Sequence, residues 1–207
     1  MIWILLLYAY ALLFALVEIE IEGADGWADK LPTWYRVTPW YARLMATVLS
    51  GKPMTGYHLM MLPIPFVSFH LGLCFGMPWS WAVEARLVGA YLIFNVIWDF
   101  LWFVLNPHFG WQRFRKGGVW WHNHRWIGRF PIDYWNGLAL SFGVAALPWL
   151  FGDGTPLVQH ARYVAGMVLL TALTAAFAPA YQRWYQHMRR PGSDERHLVD
   201  RSGPPRA

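Results

Sequence analysis

Five apolar stretches, divided by three short segments that hold nearly all of the basic residues, constrain this chain more than any other feature. Residues 19–56 hold Lys30, Arg36, Arg43 and Lys52. Residues 106–133 hold Arg113, Arg115, Lys116, Arg125 and Arg129. The stretch after the fifth apolar segment holds Arg183, Arg189, Arg190, Arg196, Arg201 and Arg206. Only Arg86 and Arg162 fall elsewhere, and the connections 76–83 and 152–157 carry no Lys or Arg. A water-soluble core of this size could not hide so much apolar surface. The chain is 57% hydrophobic and 14% charged, against about 25% charged in soluble domains. The expected fold class is therefore all-α, a polytopic membrane protein built as a bundle of five transmembrane helices.

The spans are expected at about residues 2–22, 57–75, 87–105, 134–151 and 158–178, each near the roughly 17–25 residues a helix needs to cross a bilayer. Pro63 and Pro65 predict a kink or break in the second. Residues 1–180 form one transmembrane domain in this reading, and residues 181–207 a basic, disordered cytoplasmic tail. Five spans put the three basic segments on one side. The excess of Lys and Arg makes that side cytoplasmic and the N-terminus external, as in a bacterial inner membrane. No Lys or Arg precedes the first span, which reads as a retained anchor rather than a cleaved signal. Trp34, Tyr35, Trp40, Tyr41, Leu44 and Met45 suggest an amphipathic helix lying in the headgroup layer. The 15 Trp and 10 Tyr fit interfacial positions, where a ring is apolar and its N–H or O–H stays wet. The single Cys74 excludes a disulfide within the chain and any multi-cysteine metal site, and is expected to be buried. The net charge of +5 does not indicate nucleic acid, because the cations sit where membrane orientation requires them.

The polar residues that remain in or beside the spans are the candidates for function. Asp99 lies about six residues inside the third span, roughly 9 Å into the apolar zone. A carboxylate there costs about 2.5–3.5 kcal/mol on insertion scales and needs a partner or a wet cavity. Asn95, four residues earlier on the same helical face, is the expected partner. Glu18, Glu20 and Glu22 end the first span, where helix dipole and anionic lipid both disfavour carboxylates. If the helix continues, Glu18 and Glu22 share a face and Glu20 points away. His58 opens span two, His108 closes span three, His122 and His124 lie in the following loop, and Asp133 opens span four. All of these are placed at one end of the bundle. Carboxylates and imidazoles without thiolates suit Fe, Mn or Zn, in a shell of the kind found in helical di-metal proteins.

Asp99, Asn95 and Asp133 are thus the catalytic candidates. Glu18, Glu22, His58, His108, His122 and His124 are the candidate metal ligands. Arg113, Arg115, Lys116 and Arg125, interleaved with aromatics, are expected to meet an anionic headgroup of membrane lipid or of a lipidic small molecule. Asn95-x-x-x-Asp99 resembles a fragment of the Asp-rich motif of UbiA-type prenyltransferases. Phe103 stands where a further Asp would fall and no second motif follows, so that activity is not carried over. The expectation is an integral membrane enzyme with a cytoplasm-facing carboxylate and histidine site, acting on a lipidic or isoprenoid substrate with or without a metal. The alternative is a non-catalytic membrane module, either an assembly subunit or a pigment or haem binder; His70 with His160 is the only outer-side histidine pair for a haem, and His160 lies too near its span end to suit it well.

Overall fold

A computed structural model of the protein describes residues 2–49, 51–122 and 125–190. The chain is mostly helical, and four of its helical segments are long and apolar enough to cross a membrane. These are α1 (Ile2–Glu22), the pair α3 (Gly56–Met61) and α4 (Pro63–Cys74), α5 (Trp81–Leu105) and α7 (Thr155–Met188). The interruption between α3 and α4 falls at Leu62, immediately before Pro63, which has no N–H to continue the ladder. The Tyr91 hydroxyl donates to the Leu62 carbonyl there (3.2 Å).

The fourth apolar segment differs from a plain span. It forms α6 (Ile132–Ala146) and then a 3-10 turn, Leu147–Phe151. Pro148 removes one donor and forces the tighter winding. Fifteen α-helical residues rise about 22 Å and five 3-10 residues about 10 Å more. The last helix runs through Pro179 as far as Met188, so residues 181–188 are helical, where a disordered segment was expected. Residues 191–207 and His124 lie outside the described residues.

Helix α5 is the hub, packing against α1, α4, α6 and α7. Its C-terminal half is buried on every side from Leu101 to Leu105, as befits a helix apolar all round and enclosed by others. Aromatic rings fill the space about it. Phe14 and Phe94 meet edge to face, and Phe103 stacks on Trp121. Close helix approach is made by glycines. A Cβ on Gly137 of α6 would stand 2.5 Å from Val96 Cγ2 on α5.

The loop after α1 folds back rather than trailing into water. Two residues of β1 (Tyr35–Arg36) pair antiparallel with β2 (Met54–Thr55). Between them α2 (Trp40–Val48) exposes Trp40, Tyr41, Leu44 and Val48 and buries Ala42, the arrangement expected of an interfacial helix. It begins at Trp40, so Trp34 and Tyr35 precede it. A second short ribbon, β3 (Trp126–Ile127) with β4 (Phe130–Pro131), leads into α6. Cys74 is exposed on α4, not buried as expected, because none of the described residues covers the outer face of that helix.

Candidate functional site

Five helix ends converge at one end of the bundle: the C-termini of α1, α5 and α7 and the N-termini of α3 and α6. Asp99, one and a half turns from the end of α5, is the centre of a connected polar group. The Tyr134 hydroxyl of α6 donates to Asp99 Oδ2. His122 Nε2 lies 3.1 Å from the same oxygen, and Lys52 Nζ lies 3.6 Å from Oδ1. Beyond these, Lys52 Nζ pairs with Asp133 Oδ2 at 2.9 Å, and His122 Nδ1 stands 3.1 Å from that same Asp133 oxygen. One imidazole and one ammonium therefore both bridge two carboxylates.

Local structure explains each position. The β1–β2 pairing returns the chain under the bundle, which carries Lys52 inward until only 4% of its side chain is accessible. Trp27 covers it, with Nζ 4.5 Å from the ring centroid, while the Trp27 indole N–H donates to the Pro53 carbonyl (2.9 Å). Trp27 and Ala28 both hold φ of 57°, left-handed values uncommon for residues other than glycine. His122 comes from a short 3-10 turn packed beneath Phe103.

A second group adjoins the first. Glu18 and Glu22 share the inward face of α1, and Glu20 is exposed, as the helical phase predicts. His58 of α3 points between the two acids, with Nε2 3.7 Å from Glu18 Oε1. Its Nδ1 is paired with Thr55 Oγ1 at 2.8 Å. Trp27 stacks flat on the His58 ring, with centroids 3.8 Å apart, and Glu22 Oε1 accepts from the Ala28 N–H at 2.6 Å. One ligand atom from each of Glu18, Glu22 and His58 falls within 4.8 Å of the others.

Both groups open on cavities. A cavity of about 380 Å³ runs between α2, α5 and α6, past the α3–α4 break. Met45, Val48, Leu49, Leu62, Leu92, Val96 and Leu140 give it apolar walls, and Glu18, Lys52, His58, Asp99, Asp133 and Tyr134 stand at its polar end. Asp99 keeps 26% of its side-chain surface accessible, against 7% for Asp133. Asp99 is thus the charged member that a molecule in the cavity would meet first. A much smaller cavity of about 10 Å³ lies among Glu18, Glu22, His58 and Asp99.

Several expected roles change. Asn95 does not hold Asp99: its Nδ2 donates to the Tyr91 carbonyl of its own helix (2.7 Å), and its Oδ1 is buried without a partner among the described residues. His108 is not with the other candidates. The chain turns away at Asn106, whose Oδ1 accepts from the His108 and Phe109 N–H groups (2.9 and 3.1 Å) and whose Nδ2 donates to Gly23 O (2.7 Å). His108 Nε2 instead faces the Tyr185 hydroxyl (3.5 Å). Partial burial and the neighbouring Arg189 charge hold that imidazole below its usual range. Arg113, Arg115, Lys116 and Arg125 are all exposed, and none lines the large cavity; Arg113 lies over the Phe109 ring (4.2 Å). His70 and His160 engage protein partners, Glu84 (3.2 Å) and Ser141 (3.0 Å). Sequence reasoning missed Lys52, which it counted only as a loop cation, and Tyr134 and Trp27, which are hidden among many aromatics. The chain matches no known family model, no curated protein and no solved structure.

Proposed function

We propose that the chain is an integral membrane enzyme that performs acid/base chemistry on a lipidic or isoprenoid molecule, with Asp99 as the group that meets it. The observation that carries this reading is the union of an apolar cavity of about 380 Å³ with a buried charged floor. Apolar walls with a few convergent polar groups are the general form of a small-molecule site. Ionisable groups at membrane depth mark function more often than packing. In this reading all five apolar segments cross the bilayer, α6 together with its 3-10 extension. The basic loops face the cytoplasm at a bacterial inner membrane. The exposed Arg113, Arg115, Lys116 and Arg125 attract the anionic headgroup without entering the cavity.

The residues behind Asp99 supply its proton traffic. His122 stands 3.1 Å from one oxygen of each aspartate, so a proton taken by Asp99 passes to the imidazole, and the Asp133 carboxylate stabilises the imidazolium that forms. Lys52 offsets the remaining negative charge, and Tyr134 fixes the orientation of Asp99 by donating to it. Hydrogen-bond reach between donor, acceptor and carrier is the geometric requirement of general acid/base catalysis.

The test is to incubate the protein, in nanodiscs of native lipid, with a total lipid extract in D2O. Lipids are then followed by mass spectrometry for wild type and Asp99→Asn. A species that changes mass or takes up deuterium only with wild type supports the proposal. A lipid that copurifies but emerges unchanged from both proteins would replace it with a binding module.

A further inference from the structure

We infer that Glu18, Glu22 and His58 bind a first-row divalent cation, Mn(II), Fe(II) or Zn(II), in the small cavity beside Asp99. This goes beyond the lipid reading, although Glu18, His58 and Asp99 line both cavities.

Charge is the first ground. Glu18, Glu22 and His58 are all buried, with residual exposures of 6%, 8% and 4%. Lys52 reaches Asp133 and Asp99. Among the described residues no Lys or Arg stands within ion-pair distance of Glu18 or Glu22. Two adjacent carboxylates without a cation are expensive to bury, so protons or a metal must neutralise them.

Donor geometry is the second ground. The three ligand atoms lie within 4.8 Å of one another. A metal about 2.0–2.2 Å from each donor needs them no more than roughly 4.4 Å apart, an adjustment well within side-chain freedom. His58 offers Nε2 inward while Nδ1 is engaged by Thr55, the outer hydrogen bond that orients a ligating imidazole. The Ala28 N–H donates to Glu22 Oε1, which fixes the carboxylate beside His58.

The cavity itself is the third ground. At about 10 Å³ it has room for a single ion or water, and Asp99 completes its wall. Trp102 lines it as well. That indole is 3% exposed, and its N–H has no partner among the described residues. A cation-bound water or hydroxide would accept that hydrogen. Two glutamates, one histidine and a nearby aspartate are the donor set that suits Mn, Fe or Zn rather than copper or a thiophilic ion.

The test uses the full chain in detergent, stripped with a chelator and titrated separately with Mn(II), Fe(II) under anaerobic conditions, and Zn(II). Metal content by elemental analysis, the melting temperature and Mn(II) electron paramagnetic resonance are read together. One equivalent bound, with a rise in melting temperature, supports the site. Glu22→Gln and His58→Gln should each weaken binding at least tenfold, while His108→Gln should leave it unchanged. Where a variant fails to fold, the titration of the stripped wild-type protein decides alone. Folded wild-type protein that takes up none of the three ions, with an unchanged melting temperature, overturns the inference and leaves protons as the neutralising charge. Either result stands apart from lipid conversion, because no substrate enters the assay.

Discussion

Replacing Lys52 by Met would remove the only Lys or Arg that the described structure places between Asp99 and Asp133. The side chain is 4% accessible, and Asp133, 2.9 Å away, is 7% accessible. Breaking one partner of a buried pair costs about 3–5 kcal/mol, because the charge left behind is uncompensated. Most of that loss belongs to Asp133, since Asp99 keeps 26% of its side chain open and stands 3.6 Å away. For a chain of this length about 2–4 °C of melting temperature accompanies each kcal/mol. The expected fall is about 6–20 °C in detergent. Adding Asp133→Asn to the Lys52→Met protein should restore about 2 kcal/mol or more, since the two losses are not additive for groups in contact. Lowering the pH should also shrink the deficit, because a proton can take the place of the ammonium. A single variant within about 1 kcal/mol of wild type, or strictly additive losses in the double variant, would refute the ion-pair assignment.

Other outcomes follow from the same geometry. Tyr134→Phe removes the hydroxyl that donates to Asp99. It should cost about 1.5–3 kcal/mol in chemical or thermal unfolding, the range for hydrogen bonds to charged groups. Gly26→Ala should destabilise by about 1–3 kcal/mol, because its Cβ would meet the buried Trp121 ring at 2.3 Å; an unchanged melting temperature would contradict that packing. Gly137→Val should both destabilise, through Val96, and lower the amount of copurifying lipid, since Gly137 also lines the large cavity. Asp99→Asn should insert and remain monodisperse on size exclusion but convert no lipid.

The fold was largely legible because a bilayer imposes its length on any apolar helix. The first, third and fifth apolar stretches became α1, α5 and α7, and the break before Pro63 followed from a missing donor. The fourth stretch was harder to read, since hydropathy does not reveal that Pro148 turns the end of α6 into a 3-10 winding. Within the site, the helical phase separated Glu18 and Glu22 from Glu20. It misled at Asn95, where spacing pointed to Asp99. The amide instead bonds the carbonyl one turn back, the local alternative that short polar side chains favour. Lys52 could not be picked out. As one basic residue in a loop of four it looked like an orientation signal, and only the pairing of β1 with β2 turns it inward. His108 failed for the converse reason: it adjoins the end of α5, but the Asn106 turn carries it away from Asp99.

Structure determination of the protein extracted with its native lipid would decide most directly whether Asp99 is the reactive floor of a lipid cavity. The expected result is elongated density between Leu92 and Leu140, ending within hydrogen-bond distance of Asp99, with Lys52 and His122 still bridging to Asp133. A collapsed or water-filled space, with Asp99 turned from the cavity and Lys52 in solvent, would contradict it.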